Sequence, residues 1–367
     1  MSKRLLRIIG LFIFGLLAII SLGATLVPFI PAKQWYIRIW DYPRLQTFAI
    51  AVMAILWYGY FYFKRGRWGY FFVAMFAVVI FVQGYKAWPY TILGHKQVLQ
   101  SEKSSADTTS ISLLICNVLQ PNTSYQKVIA LVKEQNPDIF ITTESDSTWQ
   151  HNLKSIEADF PFRIAIPQSN TYGVHLYSKL ALGNTEIRYL LEKDIPSIKS
   201  RVQLKSQEWI TIFVLHPRPP VPTEASDSRE RDAEIILVAK EARKEQGAVI
   251  VTGDFNDVAW SKTTELFQEV TGFLDPRRGR GFYNTFHANI PIFRWPLDHI
   301  FHSSHFKLVK MHRANKVDSD HFPMFIKLSY EPDEKHEQPK VKPDANTEAD
   351  ANKAIKKGIK DGDAPGE

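Results

Sequence analysis

At 367 residues the chain exceeds one ordinary domain, so more than one region is expected. Its net charge of +7 is unevenly placed: residues 1–100 hold eleven Lys/Arg against one acid, Asp41, residues 101–330 hold 27 of each sign, and residues 331–367 hold seven Lys/Arg against ten Asp/Glu. The basic excess belongs to the N-terminal part, which argues against a polyanion drawn to the whole chain, and the single cysteine, Cys116, excludes an intrachain disulfide framework.

The first 95 residues read as a membrane region. Ile8 to Ala32 carries no charge, and uncharged runs follow from Leu45 to Phe63 and from Trp68 to Tyr85, separated by Lys64-Arg65-Gly66-Arg67. About 20 apolar residues span a hydrocarbon core, so three transmembrane helices are expected at about 5–30, 45–63 and 68–85. Trp35, Tyr36, Trp40 and Tyr42, then Trp57, Tyr58 and Trp68, lie near the run ends, where the membrane–water interface favours such rings. The basic start would also suit a cleaved signal peptide, but the first run is longer than the usual apolar core of one, and two further runs follow. With Lys3, Arg4, Arg7 and the Lys64–Arg67 turn inside, three spans leave everything after residue 86 outside. Lys33, Arg38, Arg44, Lys86 and Lys96 then flank the outer face, so the charge bias is small. The location expected is the cell (inner) membrane, with the remainder of the chain extracytoplasmic.

Residues 96–110 (KQVLQSEKSSADTTS) have the small, polar composition of a linker. From 111 to 330 the pattern is mixed α/β, in which short β-rich runs (ISLLICN, PDIFITTE, GVHLYS, WITIFVLH, AVIVTGD, PLDHIFHS, FPMFIKLSY) alternate with helical stretches at Tyr125–Glu134 and Ser228–Glu245. Residues 331–367, rich in Pro, Lys, Asp, Glu and Ala and lacking aromatics, are expected to be a disordered charged tail.

The informative feature of 111–330 is where polar residues end apolar strands: Asn117, Glu144, His216, Asp254, Asp298 and His321. Side chains from several strand ends converge at one rim of a sheet, where ligands commonly bind. Carboxylates and amides supply the oxygen ligands that Mg²⁺ or Mn²⁺ prefer. An imidazole backed by a carboxylate moves protons or donates to a phosphoryl oxygen.

In order along the chain, SLLICN ending at Asn117, NPDIFITTE ending at Glu144, YGVHLYS, WITIFVLHP with His216, TGDFN with Asp254 and Asn256, NTF followed by LDHIF with Asp298, and SDHFP with Asp320 and His321 resemble the endonuclease/exonuclease/phosphatase superfamily. GDFN or SDH alone would be weak; the ordered set is specific. One departure is His299, where many members carry Tyr after the Asp. Another is the lack of a clear insertion typical of the abasic-site repair enzymes, which puts that activity in doubt.

The resemblance implies a four-layer α/β sandwich, with two packed mixed sheets flanked by helices. It implies that Glu144, with Asn117 and Asp320 nearby, holds Mg²⁺ or Mn²⁺. Asp254 and Asn256 handle the attacking water, His321 is backed by Asp298, and His216 contacts phosphate. The activity implied is hydrolysis of a phosphoester, a lipid head group or a small phosphoester, beside a lipid bilayer. A nuclease is the alternative, but its affinity would rest on phosphate contacts by Lys/Arg, and 101–330 has no net charge to attract a polyanion. A non-catalytic binding module is disfavoured by the intact motifs. Cys116, one residue before Asn117, points to the opposite face and reads as a small buried apolar residue.

Overall fold

The computed structural model describes residues 3–62, 67–103 and 107–359. The apolar runs fold as α1 (Lys3–Leu26), α3 (Arg44–Tyr62) and α4 (Arg67–Ala87), with a one-turn α2 (Trp35–Arg38) between the first two. Small Ala18, Ala51 and Ala54 let the three long helices pack closely, and Phe14 stacks on Tyr58 with ring centroids 4.7 Å apart. Gln83 late in α4 donates to Thr25 late in α1, and Arg44 at the start of α3 donates to Gln83. Thus α1 and α4 run in the same direction, and α3 returns between them.

Three helices stand where three spans are expected, but among the described residues only two stretches, Ile8–Phe29 and Arg67–Tyr90, are long and apolar enough to cross a membrane. The middle helix is as apolar as α4 and differs in length, 19 residues against 21. Its expected end at Phe63 and the Lys64–Gly66 part of the basic turn lie outside the described residues, as do the side chains of Lys3, Arg4 and Arg7.

The remainder adds, in order, β1 (Ser110–Asn117), α5 (Tyr125–Gln135), β2 (Ile139–Thr143), α6 (Ser147–Asn152), β3 (Phe162–Ile166), β4 (Val174–Ser178), β5 (Leu182–Arg188), β6 (Ser197–Gln203), β7 (Trp209–Leu215), α7 (Arg229–Lys244), β8 (Val249–Asp254), α8 (Lys262–Thr271), β9 (Asp298–His302), β10 (Phe306–Arg313), β11 (Met324–Tyr330) and α9 (Thr347–Gly358). One sheet runs β10-β11-β1-β2-β4-β3 and the other β5-β6-β7-β8-β9. Strand alternation builds the layers. Leu113 and Ile115 of β1 face Ile212 and Val214 of β7 in the core between the sheets. Leu114 and Cys116 turn outward onto α5, and Phe213 and Leu215 turn outward onto α7 and α8. Helix, sheet, sheet, helix is the four-layer sandwich expected.

Two segments differ from the sequence reading. The stretch 97–101, expected as linker, is docked: Val98 is buried in the inter-sheet core, Ser101 N donates to Leu308 O at 2.8 Å, and Leu308 N donates to Leu99 O at 2.9 Å. Residues 104–106 of that stretch lie outside the described residues. The tail, expected to be disordered, is ordered through residue 359. Gln338 caps the Phe306 carbonyl at 2.7 Å, and α9 lays Ala351, Ala354 and Ile355 on α7 and α8. Spacing of i, i+3 and i+4 makes one narrow apolar stripe, and small side chains allow a close approach. Residues 360–367 lie outside the described residues.

Candidate active site

Parallel pairing of β1 with β2, and of β7 with β8, brings four strand C-termini to one rim. Antiparallel β9 enters that rim with Asp298 opposite Asp254, and β11 starts there beside the end of β1. Asn117, Glu144, His216, Asp254, Asn256, Asp298, Asp320 and His321 therefore sit at the ends of six strands on one side of the sandwich.

Local backbone aims them. Gly253 has φ +134 and lies so close to the Leu215 carbonyl that a Cβ would not fit, so only glycine lets β8 pass β7 and present Asp254. Glu144 and Asn256 adopt left-handed φ of +57 and +51, unusual for side-chain-bearing residues outside constrained sites. Asn256 N donates to Asp254 Oδ1 at 2.9 Å, which fixes the turn, and its side chain donates to the Pro217 carbonyl at 3.0 Å.

The polar contacts interlock. Asn117 Nδ2 lies 2.8 Å from Glu144 Oε1 and 3.0 Å from Asp254 Oδ2, tying the two sheets together. His321 Nδ1 meets Asp298 Oδ2 at 2.8 Å, and its Nε2 faces Asp254 Oδ2 at 3.5 Å. His216 Nε2 lies 3.9 Å from the same Asp254 oxygen. Ser319 Oγ bridges the Asn117 carbonyl at 2.7 Å and the His321 amide at 3.0 Å. Thr285 Oγ1 accepts from Leu297 N and Asp298 N, both at 3.2 Å, and so seats the Asp298 turn.

Burial opposes charge on the His321 ring, but the Asp298 and Asp254 carboxylates outweigh it and raise its pKa to about 10. Burial likewise acts to raise Asp254, yet His321, His216 and the Asn256 amide hold it below the usual carboxylate range. Glu144 moves the other way: burial raises it, with His216 and Asn117 opposing. Among the described residues no Lys or Arg pairs with Glu144, Asp254, Asp298 or Asp320. Four acids therefore surround two imidazoles in a buried cleft, a negative excess that suits a divalent cation. Asp254, Asp298 and His321 are close enough to share an ion, but the short His321–Asp298 bond already occupies that pair. The remaining carboxylates are Glu144, Asp254 and Asp320, while Asn117 turns its amide nitrogen to Glu144 and Asp254 and its Oδ1 accepts from Leu119 N at 3.0 Å.

Sequence reasoning missed two groups. Tyr42 Oη, from the segment between α1 and α3, donates to the Asn256 carbonyl at 2.9 Å, and Arg231 Nη1 donates to the same oxygen at 2.6 Å. No motif marks either one; Tyr42 lies 214 residues from its partner in sequence. Arg218, two residues after His216, is paired with Glu192 at 2.5 Å. Cys116 is buried among apolar side chains, as expected.

This fold, with this rim of acids and imidazoles, defines the class. The chain belongs to the Endonuclease/Exonuclease/phosphatase family, which residues 114–321 match, more than half of its length. Members of the family are typically divalent-metal-dependent hydrolases of phosphoester bonds. No match emerged among curated protein sequences. Among solved structures, D. rerio TDP2 complexed with single strand DNA product is 15% identical over 60% of this chain and 99% of that one, with a TM-score of 0.51. The endonuclease/exonuclease/phosphatase structures from Bacteroides vulgatus (16% identical, 60% and 99% covered) and Beutenbergia cavernae DSM 12333 (14%, 60% and 72%) both reach 0.50. At these identities the likeness is one of fold.

Proposed function

We propose that the chain is a membrane-tethered, Mg²⁺- or Mn²⁺-dependent phosphodiesterase or phosphatase acting on a lipid head group or small phosphoester. The observation that carries this reading is the rim itself, where an imidazole clamped by Asp298 faces the Asp254 carboxylate, with Glu144 and Asn117 beside them. Glu144, with Asn117 and Asp320 nearby, would hold the ion. When bound, the cation supplies Lewis-acid polarisation of the phosphoryl group and charge stabilisation at the leaving oxygen.

The chain's own groups do the rest. Asp254, kept ionised by the two imidazoles and oriented through Asn256, positions a water and accepts its proton. His321 stays protonated between its carboxylates and, with His216, donates to the non-bridging oxygens as negative charge develops. The helices α1 and α4 supply the tether.

A nuclease is the second reading, favoured by the likeness to a TDP2 structure that holds a single strand DNA product. The balanced charge of 101–330 weighs against it. The test is purified full-length protein in detergent, assayed against phospholipids, phosphoinositides, small phosphodiesters, DNA and RNA, with and without chelator. Undiminished hydrolysis in chelator would refute the metal-dependent reading.

A further inference from the structure

The loop that joins the NTF and LDHIF motifs reaches from the catalytic His to the helix ends. At its base Phe286 packs on the His321 ring with centroids 5.0 Å apart, and Ala288 N donates to the Asp320 carbonyl at 2.6 Å. At its tip Ile290, Ile292 and Phe293 are 43%, 72% and 49% exposed. Gln46, in the first turn of α3, donates to the Ile292 carbonyl at 2.6 Å, and Tyr42 packs edge-on against Trp295. The exposed apolar tip therefore stands level with the helix ends that meet the catalytic region.

Beside it, Arg294 and Arg313 both lie over the Phe322 ring, at 5.0 and 4.1 Å from its centre. Phe322 directly follows His321. Among the described residues neither arginine meets a carboxylate; each reaches only a backbone carbonyl, Ala288 and Asn284 respectively. Two uncompensated guanidinium groups at the mouth of a site suit an anion, and they border apolar side chains that water does not favour.

We propose that residues 287–294 form an interfacial loop seated in the head-group layer of the same bilayer that the helices cross, with Arg294 and Arg313 receiving an anionic phospholipid head group at the mouth of the active site. This rests on the membrane-tethered reading above and narrows its substrate to a phosphoester presented from the bilayer. Three features select the bilayer as occupant: continuity with α3 through Gln46, the unpaired arginines, and an apolar tip beside polar ring and cation groups, the composition of an interfacial segment. A single-stranded nucleic acid would use the arginines but leave Ile292 and Phe293 in water.

The experiment uses the full chain reconstituted into phosphatidylcholine vesicles with increasing phosphatidylglycerol, carrying Ile292→Cys labelled with an environment-sensitive fluorophore. Cys116 is buried and should stay unlabelled. The expected result is loss of most emission with lipids bearing a shallow nitroxide and little loss with aqueous iodide. Quenching should deepen with the phosphatidylglycerol fraction, and Arg294→Ala with Arg313→Ala should remove that dependence. Iodide quenching without lipid quenching would overturn the proposal, as would a label that responds to added single-stranded DNA instead. Lipid quenching in a protein that hydrolyses no phosphoester would sink the catalytic reading and leave the loop's docking standing. With hydrolysis present, Ile292→Asp with Phe293→Asp should lower the ratio of phosphatidylglycerol to bis(p-nitrophenyl) phosphate turnover by roughly tenfold or more. An unchanged ratio would overturn the proposal.

Discussion

His321 stands between two carboxylates, 2.8 Å from Asp298 and 3.5 Å from Asp254, and its charge is what keeps both anions tolerable in a buried cleft. His321→Ala should lower kcat by roughly 10²–10⁴-fold. Mg²⁺ affinity measured by calorimetry should hardly move, whereas Glu144→Gln should weaken it; equal loss of metal binding in both variants would refute this division. Tyr42→Phe removes one of two donors to the Asn256 carbonyl and leaves Arg231 in place. It should cost about 1 kcal/mol of stability and a small loss in kcat. Glu234 is different, being buried in α7 with burial and Glu192 raising its pKa to about 8 against the pull of Arg188. The folded state keeps this proton over a pH range in which the unfolded chain has lost it, so stability falls as pH rises from about 4.5 to about 8 and then levels. Glu234→Gln should thus leave the melting temperature unchanged near pH 4.5 and raise it progressively up to pH 8, by roughly a few kcal/mol in stability. A gain independent of pH would show that some other contact is responsible. The strand-end acids and imidazoles were legible because motif and alternation mark them locally. Tyr42 was not, because in sequence it is one more interfacial aromatic.

The elements show the same division between local and remote information. Central strands β1, β2, β7 and β8 announce themselves as apolar runs because both faces are covered. Strands β3, β5 and β10 at sheet edges, and β6 inside its sheet, went unread because exposed or half-exposed polar side chains break each run. Composition misled at both flanks of the catalytic region. An average over a polar stretch hides Val98, and an average over a charged tail hides the stripe of Ala351, Ala354 and Ile355. Deleting residues 347–367 should uncover the matching face of α7 and α8 and cost about 2 kcal/mol, a drop of a few degrees in melting temperature. An unchanged melting curve in the same detergent would show that α9 adds nothing. For the same reason a piece beginning at Ser110 should melt well below the full chain, since it loses Val98, the Tyr90 bond to the Ala259 carbonyl and the Lys33–Asp232 ion pair at 2.7 Å.

At the scale of the whole molecule the remaining question is which side of a membrane holds the chemistry, and the helix directions sharpen it. The Gln83–Thr25 bond places the ends of α1 and α4 together, and the catalytic region packs on that end through Lys86–Glu265 at 2.7 Å and Trp260 Nε1 to the Asp41 carbonyl at 2.7 Å. On the membrane-tethered reading, parallel α1 and α4, with α3 returning between them, would carry the chain to the side opposite its N-terminus. The side that holds the site would then follow from the location of the N-terminus alone. Lys3, Arg4 and Arg7 precede the first apolar run, and short basic flanks are retained in the cytoplasm. The opposing charges are weaker candidates than their number implies, because Arg38 and Arg44 are both paired with Asp41 and Lys33 with Asp232. The expected outcome is that a reporter active only outside the cytoplasm, fused near Gly366, is active, while a cytoplasm-only reporter at the same position is silent. Replacing Lys3, Arg4 and Arg7 with Gln should weaken that asymmetry. The reverse pattern would place the site inside the cell and turn the substrate search to the inner leaflet, with the geometry of the active site and its loop unchanged.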